Sequence, residues 1–486
     1  MTLLSALLLS PLVAAVLGRF LPGRAADRGQ LAGATLVLGL ALTAALRVAA
    51  GGPLESGPLY LDALGALLAL IVALVSWGGA LYALDYLRHD VRERRLAPDQ
   101  PRWFYLWYHL FVFTMLAVVT TENLGLMWAA IEATTLASAV LVGFYRTREA
   151  LEAAWKYLIL CTVGISFALF GVLLLYAAGA HALGPGESAL SWRALVAGAG
   201  RLDPQLVRLA FVFVLIGYGT KAGFAPLHTW LPDAHSQAPT PVSAVLSGVL
   251  LPCALYGIAR VHAVAVGTLG PEFSSTLLIA FGLLSAAVAV PFVLVQHDVK
   301  RLLAYSSIEH MGIIALALGI GGPLALFGGL LHLVVHALGK ALLFFAAGVL
   351  AHRYGTREMV RIRGAARALP LSGPALLAGG IAIAGAPPFG LFVSEFSILT
   401  AGFAQGRAWA SGLLIGCISL VFVGLLFHLG RMVLGEPGPR VTRGEGGLRP
   451  ALLGAPLLAI ALLGLWVPTP LAAVIGQAAR VLMVDR

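Results

Sequence analysis

Long apolar stretches, each closed by a charged or Pro/Gly-rich break, follow one another along nearly the whole chain. A helix that crosses a bilayer needs about 20 mainly apolar residues. By that measure the pattern predicts fourteen spans, over 2–20, 30–50, 58–84, 103–120, 122–145, 151–179, 205–231, 241–266, 272–295, 301–320, 323–350, 373–405, 409–432 and 450–468. The expected fold class is therefore an all-α polytopic membrane protein. No Lys or Arg precedes the first run, whereas Arg19, Arg24 and Arg28 follow it. A signal peptide has the opposite polarity, so this run reads as a retained first helix.

Composition narrows the class further. Of 486 residues, 59% are hydrophobic and 11% charged, against about 25% charged in ordinary soluble domains. That excludes a cytosolic enzyme, a disordered chain and a secreted disulfide scaffold. Cys161, Cys253 and Cys417 stand far apart inside apolar runs, so they read as core residues, and no metal, haem or iron–sulfur site is expected from them.

The net charge of +10 follows from topology. Loops after odd-numbered runs hold 21 of the 32 Lys and Arg residues, among them Arg24, Arg88, Arg92, Arg146, Lys300, Arg301, Arg353, Arg440 and Arg449. Loops after even-numbered runs hold six: Arg47, Arg193, Arg201, Arg208, Arg260 and Arg407. The positive-inside bias places the odd loops in the cytoplasm and both termini outside a cell's inner (plasma) membrane. Arg480 and Arg486 lie beyond the last run, and Lys156 near the start of the sixth.

Two lysines escape this account. Lys221 sits within the seventh run and Lys340 within the eleventh, where His332, His336 and Lys340 are spaced i, i+4, i+8 along one helix face. Glu132 lies in the fifth run and Glu395 in the twelfth. An ionisable group at bilayer depth costs several kcal/mol unless paired or wet, which marks a functional candidate. Six such groups on four helices point to a proton or ion pathway; the competing reading is structural ion pairs and packed histidines. Lys156, Asp233, His235, Glu309 and His310 are accessory candidates, while Asp62, His262 and His428 read as lone interfacial groups.

Helix breaks coincide with two of these charges. Gly217, Gly219, Gly223 and Pro226 surround Lys221, and Gly385, Pro387, Pro388 and Gly390 precede Glu395. Backbone can unwind at membrane depth only where it is buried in protein or lines a polar cavity. Matching broken helices an odd number of spans apart indicate inverted repeats, here helices 4–8 and 9–13. The domain reading is 1–102 for three N-terminal helices and a loop, 103–270 and 271–432 for the two five-helix repeats, and 433–486 for a last helix and tail.

The segments KAGFAPLHTWLPDAHSQAPTPVSAVLSGVL (221–250), HDVKRLLAYSSIEHMG (297–312) and HALGKALLFFAAG (336–348) resemble the antiporter-like membrane subunits of respiratory complex I and of Mrp-type cation/proton antiporters. The likeness covers roughly 60–430. IEATTLASAVLVGFYRT (131–147), EAAWKYLIL (152–160) and PPFGLFVSEFSIL (387–399) look most like component F of hydrogenase-4, from membrane-bound [NiFe] hydrogenases and formate hydrogenlyases. The resemblance implies that Glu132 and Lys221 act together on proton affinity. It implies that His332, His336 and Lys340 relay protons along a central axis, and that Glu395 stands near the outward exit. It also implies neighbouring membrane subunits and a peripheral redox arm, with no cofactor and no redox chemistry in this chain. The alternatives are a subunit of an Mrp-type sodium/proton antiporter or of an NADH:quinone oxidoreductase, or a passive scaffold. Many relatives carry Lys or His in the eighth helix where this chain has Pro252, so the link onward from Lys221 is expected to use water or Glu309 or His310. The chain ends soon after the last run, which implies no long lateral helix of the kind found on the largest complex I relative.

Overall fold

A computed structural model describes residues 2–439, 441–445 and 451–483. Arg440, Arg449 and Arg486 lie outside the described residues. The membrane segments are α1 (Leu3–Phe20), α2 (Arg24–Gly51), α3 (Ala63–Arg92), α4 (Gln100–Val119), α5 (Leu124–Val142) and α6 (Arg148–Leu183). They continue with α7a (Pro204–Ala222), α7b (Trp230–Gln237), α8 (Thr240–Leu269), α9 (Pro271–Leu294), α10 (Val299–Ile320) and α11 (Gly322–Tyr354). The chain closes with α12a (Ser372–Ile383), α12b (Gly390–Ala404), α13 (Ala408–Val433), α14a (Ala451–Leu465) and α14b (Thr469–Leu482). Twelve of these helices are long and apolar enough to span alone. The twelfth predicted run is made by two shorter helices, and the fourteenth is a pair bent by 76°. All fourteen runs are therefore helical, although the last extends well past its predicted limit.

Local chemistry sets the helix starts. Asn123, Asp203 and Asp298 each cap a helix by accepting two backbone N–H groups, and Pro204 follows its cap at the position where a missing N–H costs nothing. Both breaks fall in the fourth helix of a five-helix unit. Gly223 (φ 81°) ends α7a, and Gly385 (φ 77°) lies just past α12a, in the left-handed region that glycine adopts without a Cβ penalty. The two units, α4–α8 and α9–α13, thus repeat the same irregularity, and their odd offset inverts one relative to the other.

Close backbone contacts hold each unit together. A methyl added at Gly217 of α7a would lie 2.5 Å from the Ala168 nitrogen of α6, and one at Gly282 of α9 would lie 2.6 Å from the Gly312 carbonyl of α10. Small residues of this kind allow helices to approach where burial in lipid supplies little drive. The rim is apolar outward, with Trp155, Leu136, Phe396 and Trp409 exposed. Inside, every residue of the most apolar stretch of α8 and of α10 is buried, and nearly all of that of α11. These three enclosed helices carry the polar axis.

Loop contacts sort as the charge count predicts. Arg24, Arg88, Arg102, Arg353 and Thr442, from loops after odd-numbered segments or the adjoining helix ends, line one cavity of about 950 Å³. On the opposite face Arg193 pairs with Glu122 and, at 2.6 Å, with Glu55. Hydrogen bonding to Glu122 holds the Arg193 guanidinium above its ordinary pKa.

Two basic residues assigned to loops are instead buried. Arg260 lies within α8, 2% exposed, and pairs at 2.7 Å with Asp62, the N-cap of α3. Asp62 is thus no lone interfacial group but half of an enclosed ion pair, which Tyr256 Oη extends at 2.9 Å from Arg260. Lys300 lies in the first turn of α10 and donates at 2.6 Å to the Ala238 carbonyl. Arg208 falls within α7a and stacks on Phe273.

Candidate functional site

In the first unit, the broken seventh segment delivers Lys221 fully buried at the end of α7a. Its Nζ donates to Thr135 Oγ1 at 2.8 Å and to Tyr157 Oη at 2.5 Å, and lies 4.7 Å from the Tyr157 ring centre. Glu132 is half-buried one turn before Thr135 on α5. It accepts from Thr135 at 3.3 Å and from Thr162 at 3.0 Å. The expected glutamate–lysine couple is therefore joined through a threonine hydroxyl rather than by direct contact. Tyr157 Oη also lies 2.7 Å from Ser138 Oγ, so the lysine ends in a network of three hydroxyls.

In the second unit, Lys340 is fully buried on α11 and donates at 2.9 Å to the Leu303 carbonyl and to Ser306 Oγ, both on α10. A chain of side chains continues from α10 through α11 to α12b. His310 Nδ1 lies 3.0 Å from His332 Nε2, and His332 Nδ1 lies 3.0 Å from Ser394 Oγ, beside Glu395 in sequence. The His336 ring centre is 5.1 Å from that of His310, and neither of its nitrogens has a partner among the described residues. Glu309 is buried within electrostatic reach of both Lys340 and Glu395. The Glu395 carboxylate sits against Gly385, at the break, where a Cβ would collide with it.

His310, His332 and Glu395 also bring one ligand atom each to within 4.8 Å of one another, a His/His/carboxylate set of the type divalent cations accept. The direct His310–His332 hydrogen bond occupies two of the four imidazole nitrogens in this arrangement.

The units meet at α8. Its backbone widens to a π-helical turn over Leu246–Leu250, just before Pro252, whose ring and missing N–H disturb the helical ladder. Within that turn Ser247 Oγ lies 2.7 Å from Ser307 Oγ of α10, the neighbour of Ser306. Pro252 lines a small apolar pocket of about 20 Å³ together with Leu68, Leu255 and Leu330 among others. Ser247, before the proline, thus gives α8 a polar contact with α10. His310 Nδ1 is engaged with His332 while its Nε2 has no partner among the described residues, and Glu309 lies within electrostatic reach of Lys340 and Glu395.

Of the accessory candidates, Glu309 and His310 lie on the enclosed axis, while Lys156, Asp233 and His235 lie towards the arginine-rich face. Lys156 pairs with Glu152 at 2.6 Å and with Asp233 at 3.4 Å, and Arg301 reaches Asp233 at 2.6 Å. Asp233 on α7b therefore ties α6 to α10, across the two units. His235 is buried; its Nδ1 lies 2.8 Å from the Leu231 carbonyl, and its Nε2 has no partner among the described residues. Sequence reading did not single out Thr135, Tyr157, Ser306, Ser247 or Ser307. It also passed over His228, buried between α7a and α7b, although its place inside a broken run was a usable signal.

The fold and this axis define a multi-pass membrane protein built on inverted five-helix units, with ionisable groups strung through its enclosed helices. Residues 121–428 match the NADH:quinone oxidoreductase/Mrp antiporter transmembrane family, and the chain belongs to it. It is 43% identical over 376 residues to the hydrogenase-4 component F homolog of Methylacidiphilum infernorum (isolate V4), covering 77% of this chain and 79% of that one. It is 31% identical over 420 residues to the NADH-quinone oxidoreductase subunit N of Desulforudis audaxviator (strain MP104C), covering 84% and 80%. A chain in the structure of an archaeal membrane-bound sulfane sulfur reductase superposes with a TM-score of 0.86 at 26% identity, covering 98% of this chain and 96% of that one. The protein is an antiporter-like membrane subunit of the kind found in hydrogenase-4-like, complex I and Mrp assemblies.

Proposed function

We propose that this chain translocates protons as a subunit of a hydrogenase-4-like membrane oxidoreductase, with the arginine-rich face in the cytoplasm and both termini outside. The observation that carries the reading is the pair of fully enclosed lysines, one in each unit, each held by hydroxyls or carbonyls and, among the described residues, with no carboxylate salt-bridged to it. A buried lysine without a salt-bridge partner is a poor source of stability and a good site for a proton that must come and go. Lys221 loads from Glu132 through Thr135. Ser247 and Ser307 pass the proton towards Lys340, and the His336, His310, His332 and Ser394 series delivers it to Glu395. The chain carries no redox chemistry itself; a partner arm supplies the energy by changing the charge near Glu132 and Lys221. The 43% identity to a hydrogenase-4 component F homolog favours this assembly over an Mrp-type antiporter.

The test is Lys221→Ala in the purified native complex, reconstituted in sealed vesicles. Redox turnover without proton translocation is the expected result, and pumping at the parental rate overturns the reading. Subunit and metal content of the same preparation decides the assembly. Hydrogenase subunits with nickel and iron support it, and a set of small Mrp-type subunits with sodium-dependent exchange replaces it with the antiporter.

A further inference from the structure

Three buried carboxylates among the described residues stand outside the relay: Asp62, which is paired with Arg260, Glu309, and Asp90. Asp90 lies near the end of α3, a helix that belongs to neither five-helix unit, and its side chain is 0% exposed. Asp90 Oδ2 accepts from Tyr145 Oη at 2.6 Å, and that hydroxyl lies 3.0 Å from Tyr86 Oη. Asp90 Oδ1 stands 3.2 Å from His352 Nε2 of α11 in a geometry that makes no hydrogen bond. The His352 ring is held between those of Tyr86 and His89, each 4.3 Å away. At 3.2 Å the imidazole and the enclosed carboxylate are close enough to exchange a proton after a small rotation of either side chain.

This cluster opens to a cavity on one side and is hydrogen-bonded inward as far as Thr240 on the other. The cavity of about 950 Å³ on the arginine-rich face is lined by Tyr86, His89 and His352. Inward, Tyr86 Oη lies 3.4 Å from Thr240 Oγ1 at the start of α8. Thr240 reaches that position because Gly348 of α11 has no side chain; a methyl there would lie 2.5 Å from Thr240 Cγ2 and 2.6 Å from Tyr82 Oη. Lys300 lies within electrostatic reach of both Asp90 and His235, and His235 within reach of Lys340. The groups facing Asp90 are Tyr82, Tyr86 and His89 on its own helix, Arg95 in the following loop, Tyr145 after α5, Lys300 on α10 and His352 on α11.

We infer that Asp90 and His352 form a second proton-uptake port, opening from this cavity and supplying Lys340 through Tyr86, Thr240, Lys300 and His235 without passing Lys221. In each transfer a proton leaves one heteroatom and binds the next, and no covalent bond to carbon changes. The inference rests on the relay proposed above. Lys340 then draws protons from the cavity as well as through Ser247 and Ser307, and because the drive enters at Glu132 and Lys221, Lys221→Ala stops pumping from both supplies.

The test uses the intact complex in sealed vesicles, with His352→Ala, Asp90→Asn and Lys340→Ala compared across pH. Removing a positioned proton-transfer group costs about 100-fold at the low end, so both port variants should lose up to about that much of the Lys340-dependent flux at alkaline pH. The loss should shrink as the pH falls and protons become abundant. Imidazole, small enough for the cavity, should restore His352→Ala and leave Lys340→Ala inactive. A loss that is equal at every pH and unmoved by imidazole makes the cluster a structural staple and overturns the port, as does parental flux in His352→Ala. If Asp90→Asn does not assemble, His352→Ala decides the matter. Parental pumping by Lys340→Ala would overturn the relay itself, a result distinct from failure of the port.

Discussion

The two inverted units share a break and differ in what fills it. Around α7a the lysine stands at the break, the glutamate is half-buried on another helix, and hydroxyls of Thr135 and Tyr157 lie between. Around α12 the carboxylate stands at the break, against Gly385, and the lysine is reached through a series of histidines. The same backbone irregularity thus presents a cation in one unit and an anion in the other. The repeated backbone supplies places where charge can be buried, and local side chains decide which charge and how it is handed on.

The largest effect that would break this comparison comes from the lysines. Lys221→Ala and Lys340→Ala should each lower proton translocation by about 100-fold or more at preserved redox turnover, as expected for a positioned proton carrier. Flux that survives either one shows that the two units are not alike in needing their lysine. Hydrogen-bond deletions come next. A hydrogen bond to a charged group is worth about 1.5–3 kcal/mol, so Thr135→Val, which cuts Lys221 off from Glu132, should slow pumping about tenfold or more. Ser306→Ala should slow it less, because Lys340 keeps the Leu303 carbonyl. Equal effects would contradict the bridging role of Thr135. The smallest effects belong to the breaks. Gly223→Ala and Gly385→Ala each place a Cβ in the left-handed region, at a cost of about 1–2 kcal/mol visible in the melting of the purified protein. Only Gly385→Ala also displaces a carboxylate, so only it should alter pumping; at Gly223 the neighbour is Leu231, a flexible end.

Much of this was legible in the sequence, for physical reasons that also mark where legibility stopped. Lipid demands uninterrupted apolar length, so the helices are written as runs. Lys221, Lys340, Glu395 and the histidine stripe show as charged or polar letters where charge is costly. Lys300 and Arg260 were hidden because they lie at the ends of runs, where counting basic loops absorbs any lysine or arginine. Thr135, Ser247 and Ser306 were hidden because a hydroxyl in a membrane helix can bond to its own backbone, as Ser306 does with the Leu303 carbonyl, and so carries no cost to betray it. Asp62 was misjudged because its partner, Arg260, is 198 positions away.

The enclosure of α8, α10 and α11 has a consequence for how the protein sits among lipids. A bilayer that thickens or thins acts on helices it touches, by tilting them or by drawing flanking residues towards the headgroups. Here those are the rim helices α1, α2, α6 and α13, whose most apolar stretches are less than half buried. The inner three are enclosed along all or nearly all of their most apolar stretches, so the spacing of Lys340, His310 and His332 is shielded from acyl-chain length. The rim works as a sleeve: membrane composition can change around it while the distances that govern transfer inside stay fixed.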